Sequence, residues 1–268
     1  MIQLFNKIIR YNEYINTSPL SYPLVKFKYP KSDISDLFIF RLGEYETIFI
    51  AENNLALLTS ELIECEHLFY FFDDVGNSCG NFSTTSNDFH FNLEIDTELT
   101  HGVQFGSFIH QIVYANDVIK TYKETLKGIT FHHRGYTGYK LRKSNGFSYV
   151  HGNFGGMFLD SKKNLKSLAR LRDKHTYTPQ FTIKPNYDYE FIFSNPTSKC
   201  TCIKFFLTNN GAPDMIQIED IGPYSTFNFC LKNLNIDSEC NISWETNLPI
   251  GRCTVFETFG RHMDVFHS

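Results

Sequence analysis

No stretch of this 268-residue chain is apolar for long enough to cross a membrane as a helix, because a spanning helix needs about 20 consecutive apolar residues. An apolar leader is missing as well. Lys7 and Arg10 interrupt the first hydrophobic stretch and Asn12-Glu13 follow it, whereas a secretory signal needs an unbroken apolar region. The expectation is a soluble cytoplasmic protein, in which the Asn-x-Ser sequences at Asn16, Asn81 and Asn241 carry little weight as glycosylation signals. Cysteine supplies no disulfide framework: there are seven, an odd number at irregular spacing. Cys200 and Cys202 are too close in sequence for a CxxC redox or zinc pair. All seven are expected to be reduced packing residues. A Gly-x-Ser-x-Gly elbow, a Walker loop, a GxGxxG turn and a His-Glu-x-x-His helix are all lacking, so the common hydrolase, nucleotide and zinc-peptidase signatures are excluded.

Aromatic residues are abundant where alanine is scarce. Phe (27) and Tyr (15) carry most of an aromatic share of 16%, and such side chains suit a pleated, half-buried surface better than a helix bundle. Helical spacing is confined to short pieces. Ile2, Phe5, Ile8 and Ile9 predict an amphipathic helix over 2–11, before breaks at Ser18–Pro23 and Pro30. The Leu-rich stretch Asn54–Glu64 reads as a short helix. Asp117–Lys127 reads as another, with Ile119, Tyr122 and Leu126 on one face and Gly128 as its stop. Elsewhere short aromatic and β-branched runs alternate with turn residues. Strands are expected at Leu37–Leu42, Thr47–Ala51, Leu68–Phe72 and Phe89–Ile95. In the second half they are expected at Tyr189–Phe193, Cys202–Leu207, Met215–Ile218, Thr226–Leu231, Asn241–Trp244 and Cys253–Phe256.

The two halves share an order of signals. Ile48–Asn53, then Leu68–Gly76, then Phe89-His90-Phe91 are matched by Phe191–Asn195, Ile203–Gly211 and Phe227-Asn228-Phe229. Each set is a strand ending at Asn, a strand ending in a turn with Gly, and an alternating aromatic strand, consistent with an internal duplication. With its short strands parted by Asn195-Pro196, Asn210-Gly211 and Gly222-Pro223, the second half resembles the immunoglobulin-like sandwiches in rhythm. The expected fold is all-β: two antiparallel sandwich-like units with short peripheral helices. The units are 1–115 and 181–268, joined by a connecting segment over 116–180.

That connecting segment holds the strongest charge signal. Between Lys120 and Lys174 lie thirteen basic residues against three acidic ones, a net of +10 that leaves −14 for the rest of a chain whose total is −4. A split of this size marks a surface that meets either an external anion or the protein's own acidic parts. The acidic remainder argues against nucleic acid.

Within the segment sit His132-His133-Arg134, Tyr136, Arg142, and His151 followed by Gly152-Asn153. Imidazole and guanidinium groups can donate to carboxylate or phosphate, and Arg does so with a two-pronged fork. Tyr136, Tyr139 and Tyr149 are of a kind that stacks on sugar rings or fills a core. These residues point first to a non-catalytic binding protein for an acidic glycan, a phosphorylated small molecule or an acidic protein surface. The ligand-contacting set is His132, His133, Arg134, Tyr136, Arg142, His151 and Asn153. A second reading is a metal- or His-dependent enzyme using His132, His133 and His151 with His262 and Asp264. The pair His262-x-Asp264 is similar to the start of the facial triad of non-haem iron oxygenases, although His267 follows only three residues later where that family has a distant His. A third reading is a homo-oligomer whose acidic and basic faces pair. The sequence names no cofactor.

Overall fold

The computed structural model describes residues 34–124, 135–160, 162–209, 211–232 and 238–268. The helix expected over 2–11, residues 125–127 of the helix expected over Asp117–Lys127, and His132, His133 and Arg134 lie outside the described residues. Among the described residues the chain is mostly β, as expected, with four antiparallel sheets and two short helices.

Ten strands lie before residue 168. They are β1 (Ser35–Arg41), β2 (Tyr45–Glu52), β3 (Cys65–Asp73), β4 (Ser78–Ser86), β5 (His90–Ile95), β6 (Phe105–Val113), β7 (Gly135–Leu141), β8 (Ser148–His151), β9 (Phe154–Leu159) and β10 (Leu165–Ser167). Eight follow: β11 (His175–Tyr177), β12 (Asp188–Ser194), β13 (Thr201–Thr208), β14 (Asp214–Ile221), β15 (Thr226–Leu231), β16 (Asn241–Thr246), β17 (Thr254–Phe259) and β18 (His262–His267). In the first unit a sheet ordered β10-β9-β1-β6-β3-β4 faces one ordered β5-β2-β7-β8. In the second, β11-β16-β13-β14 faces β15-β12-β17-β18. Strip β9 and β10 from the first sheet and the two units have the same strand order.

The correspondence extends to single residues. Six pairs between β2 and β5, from Thr47↔Ile95 to Glu52↔His90, recur between β12 and β15 from Tyr189↔Leu231 to Ser194↔Thr226. Each β3–β4-type hairpin carries one bulge, between Phe71 and Phe72 in the first unit and between Phe205 and Phe206 in the second. The Asn that ends the leading strand is buried in both. The Asn53 N–H donates to the Phe89 carbonyl and the Asn195 N–H to the Ser225 carbonyl, each acceptor standing just before the fifth strand. The residue pairs picked out in the sequence therefore fall on equivalent strands.

Alternation explains the cores. Phe38, Phe40, Phe49, Phe69, Phe71 and Phe108 fill the space between the first two sheets. Phe191, Phe193, Phe205, Phe229 and Trp244 fill the second. Side chains two apart on a strand share a face, so each inward row is apolar.

Both helices depart from expectation in extent. The first, α1, covers Asn54–Thr59: the Asn53 carboxamide accepts from the Ala56 N–H at 3.2 Å, and Ser60 ends the helix with φ at 58°. The second, α2, covers only Asn116–Thr121, with Asp117 in its first turn. Its packing face is Val118 and Tyr122, set against Leu55, Ala56 and Ile63, while Ile119 is exposed. Residues 116–180 supply β7 and β8 to the second sheet, β9 and β10 to the first, and β11 to the third.

One side of the first unit seats on the outer face of β12, β17 and β18. Ile39, Tyr45, Tyr139, Leu141 and Val150 meet Ile192, Phe256 and Val265 there. Glu190 is buried in this seam, 2.5 Å from the Arg41 guanidinium and 3.4 Å from Lys232. It also accepts hydrogen bonds from the Tyr45 hydroxyl and the Asn228 carboxamide. A buried carboxylate needs such a set of partners to offset its lost hydration.

Candidate functional site

The described members of the expected ligand set are dispersed. Tyr136 is exposed on the outer face of β7. Arg142, just past β7, is engaged elsewhere: its Nε donates to the Gly43 carbonyl at 2.7 Å and it borders a small cleft with Glu94 and Asp96. His151 ends β8, its ring 4.5 Å from that of His267. Asn153 is buried, and its N–H donates to the Leu37 carbonyl. The small residues after His151 serve a close backbone approach, since a Cβ on Gly152 would come within 2.4 Å of Asp36.

Among the other basic residues of the segment, several are engaged internally. Lys140 pairs with Glu46 at 2.5 Å, Lys166 lies 4.0 Å from Asp160, and Lys174 pairs with Glu245. Lys163 sits over the Tyr70 ring.

The C-terminal histidines also separate. His262 and Asp264 share a face of β18, whereas His267, an odd number of residues further on, leaves by the other face. His267 Nε2 lies 3.2 Å from the His151 carbonyl. His151 thus meets His267 and not His262, which is five strand residues, roughly 16 Å, away along β18. Burial, with Arg252 and His151 nearby, pushes the His267 pKa down to about 4. Among the described residues no three His, Cys, Asp or Glu side chains form a group able to hold a metal ion.

The geometry instead joins two hairpin tips. At the end of the β17–β18 hairpin, Phe259 pairs with His262, which leaves a two-residue turn of Gly260 and Arg261. Gly260 adopts φ of 61°, the conformation that the first position of such a turn demands. The β7–β8 tip is longer and is held by the Ser144 N–H and hydroxyl, which both donate to the Leu141 carbonyl. Ser148 clasps the two hairpins together. Its hydroxyl donates to Asp264 at 2.7 Å and accepts from the Val265 N–H at 2.9 Å.

Between the tips lies a cleft of about 410 Å³ lined by Lys143, Ser144, Asn145, Gly146, Phe147, Arg261, His262 and Met263. Three of these can carry positive charge, two more offer hydroxyl or amide donors, and none is acidic. The nearest carboxylate on β18, Asp264, is held by Ser148 and the Val265 N–H. Lys143 and Arg261 make no ion pair among the described residues. Such a concentration of donors with no carboxylate suits an anion.

A larger cleft of about 610 Å³ lies on the outer face of β13, β14 and β16. Its charges are mixed: Lys174 and Lys204 stand with Asp220 and Glu245, so it shows no preference of sign.

A third cluster is enclosed. His67 Nδ1 lies 2.9 Å from His110 Nε2, and Cys65 Sγ lies 3.4 Å from His67 Nε2. All three side chains are buried. Burial pushes the His67 pKa down to about 4 and the Cys65 thiol up to about 12. The shifts oppose a thiolate–imidazolium pair, and burial keeps the three side chains from solvent.

No protein-family model matches the chain, and a search of curated proteins likewise finds no match.

Proposed function

We propose that the protein is a non-catalytic binding protein that takes an anionic ligand, an acidic glycan or a phosphorylated small molecule, in the cleft between the β7–β8 and β17–β18 tips. The observation that carries this reading is the lining of that cleft: Lys143, Arg261 and His262 converge with Ser144 and Asn145, and no acidic side chain borders it. Only Lys143 comes from the basic middle segment, and Arg261 and His262 come from the other unit. Phe147 and Met263 give the cleft an apolar wall against which the body of a small ligand can rest. The free state of the seven cysteines fits a reducing compartment such as the cytoplasm.

Calorimetric titration with sulfated and uronate oligosaccharides and with sugar phosphates, at low and high ionic strength, tests the reading. Affinity falls as salt rises, because exposed charges are screened within about 10 Å at 0.1 M salt. The double variant Lys143→Ala/Arg261→Ala loses at least about tenfold. Salt-independent affinity, or a double variant that binds as well as the parent, removes the cleft from the account.

A further inference from the structure

Phe147, which lines the cleft, is also one end of an aromatic row on the open face of the β5-β2-β7-β8 sheet. Strand pairing sets the row. Tyr136 stands opposite His151 and Gly138 opposite Tyr149, and residues paired across an antiparallel ladder project to the same side. Tyr136 is 51% exposed and Tyr149 48%. A side chain at position 138 would exclude the Tyr149 ring: a Cβ on Gly138 would come within 2.5 Å of Tyr149 Cε1 and 2.9 Å of Ile48 Cγ1. Glycine there lets Tyr149 lie down on the sheet. The Phe147 and Tyr149 centroids are 6.1 Å apart with their planes at 36°. Lys140 sits 5.1 Å from the Phe147 centroid while paired with Glu46. The result is a strip running from Tyr136 across Tyr149 to Phe147, and from there into the cationic cleft.

We infer that this strip is the chain-binding part of a site for an acidic oligosaccharide, with sugar rings stacked on Tyr136 and Tyr149 and a carboxylate or sulfate held in the cleft by Lys143 and Arg261. The inference rests on the anion reading of the cleft and narrows its ligand class. Two features select sugar over an apolar protein surface. The C–H face of a pyranose matches the electron-rich face of an aromatic ring. The strip is also bordered on the neighbouring strands by exposed His90 and Asn92, side chains that hydrogen-bond hydroxyl groups, while exposed Glu52 and Glu94 accept from neutral sugar hydroxyls and leave the cationic cleft as the place for the acidic group. Apolar protein partners are instead met by patches depleted of such charges.

The test compares three probes, a uronate hexasaccharide, the corresponding monosaccharide and inorganic sulfate, on the parent protein and on Tyr149→Ala, Tyr149→Phe and Lys143→Ala/Arg261→Ala. The hexasaccharide binds the parent at least about tenfold more tightly than the monosaccharide. Tyr149→Ala abolishes that advantage without changing sulfate affinity, and Tyr149→Phe keeps it. A hexasaccharide no tighter than the monosaccharide, or one indifferent to Tyr149→Ala, overturns the aromatic strip while leaving the cleft standing. Sulfate binding that survives Lys143→Ala/Arg261→Ala fails the cleft itself, a result readable apart from the Tyr149 variants.

Discussion

The two units share a strand order, a register and a bulge, yet they use the same sheet face in opposite ways. In the second unit the outer face of β12 and β17 is covered: Glu190 and Ile192 are buried by the first unit, and Phe256 packs edge-on against Tyr45 and Tyr139. In the first unit the equivalent positions are Ile48, Ile50 and Gly138, and the face is open with Tyr136 and Tyr149 upon it. The same topology thus serves attachment in one unit and leaves an open face in the other. The closing of the sandwich ends differs too. A helix stands between β2 and β3, where β12 and β13 are joined by a short turn built around Asn195. Inside, register places His67 and His110 where the second unit has Thr201 and Thr246.

Breaking the attachment face has the largest expected effect. Glu190→Ala leaves Arg41 and Lys232 without their shared carboxylate and is expected to cost about 3 kcal/mol, the low end for breaking a buried pair, since Arg41 stays partly buried while Lys232 can turn to solvent. Because the lesion lies in the seam, thermal unfolding followed by calorimetry should split into two transitions. A single transition with a loss under about 1 kcal/mol would mean that the pair behaves like a surface salt bridge and that the seam is held by its apolar contacts alone.

Acid sharpens the contrast between the cores. His67 has its pKa lowered from 6.5 to about 4, so between those values the unfolded chain binds the proton that the folded chain refuses. Stability contributed by the neutral imidazole is complete above pH 6.5 and is lost as pH falls toward 4. The magnitude is about 3 kcal/mol at 1.36 kcal/mol per pKa unit. His267, at the seam, contributes with the same sign. His67→Thr, which copies the second unit, should flatten the fall in melting temperature between pH 6.5 and pH 4 relative to the parent. An unchanged slope would assign the acid sensitivity elsewhere.

The sequence was most readable where strands alternate. All six strands read in the second half lie on β12 to β17, and the four read in the first lie on β1, β2, β3 and β5. Of the strands not read, two show the physical reason. The β6 strand is buried on both faces and mixes Ser107, His110 and Gln111 with apolar residues, so it shows no period of two. The β4 strand is an edge of Ser, Thr and Asn, whose polarity imitates a loop. Its counterpart β14 carries exposed Met215, Ile216 and Ile218 and was found. The site was less legible. Lys143 stood out only as one basic residue among thirteen, and His262 only as part of a His-x-Asp pair. No spacing rule links residue 143 to residue 261. The link exists because Ser148 and Asp264 fasten two equivalent hairpins together, which is a property of packing between units.

Backbone amide shifts recorded while inorganic sulfate is added report on the cleft residue by residue. Saturable shifts confined to Lys143–Phe147 and Arg261–Met263 are expected, and their loss in Lys143→Ala/Arg261→Ala. Shifts centred on Lys162–Lys166 or Arg170–Lys174, or none at either hairpin tip, would contradict anion binding in the cleft.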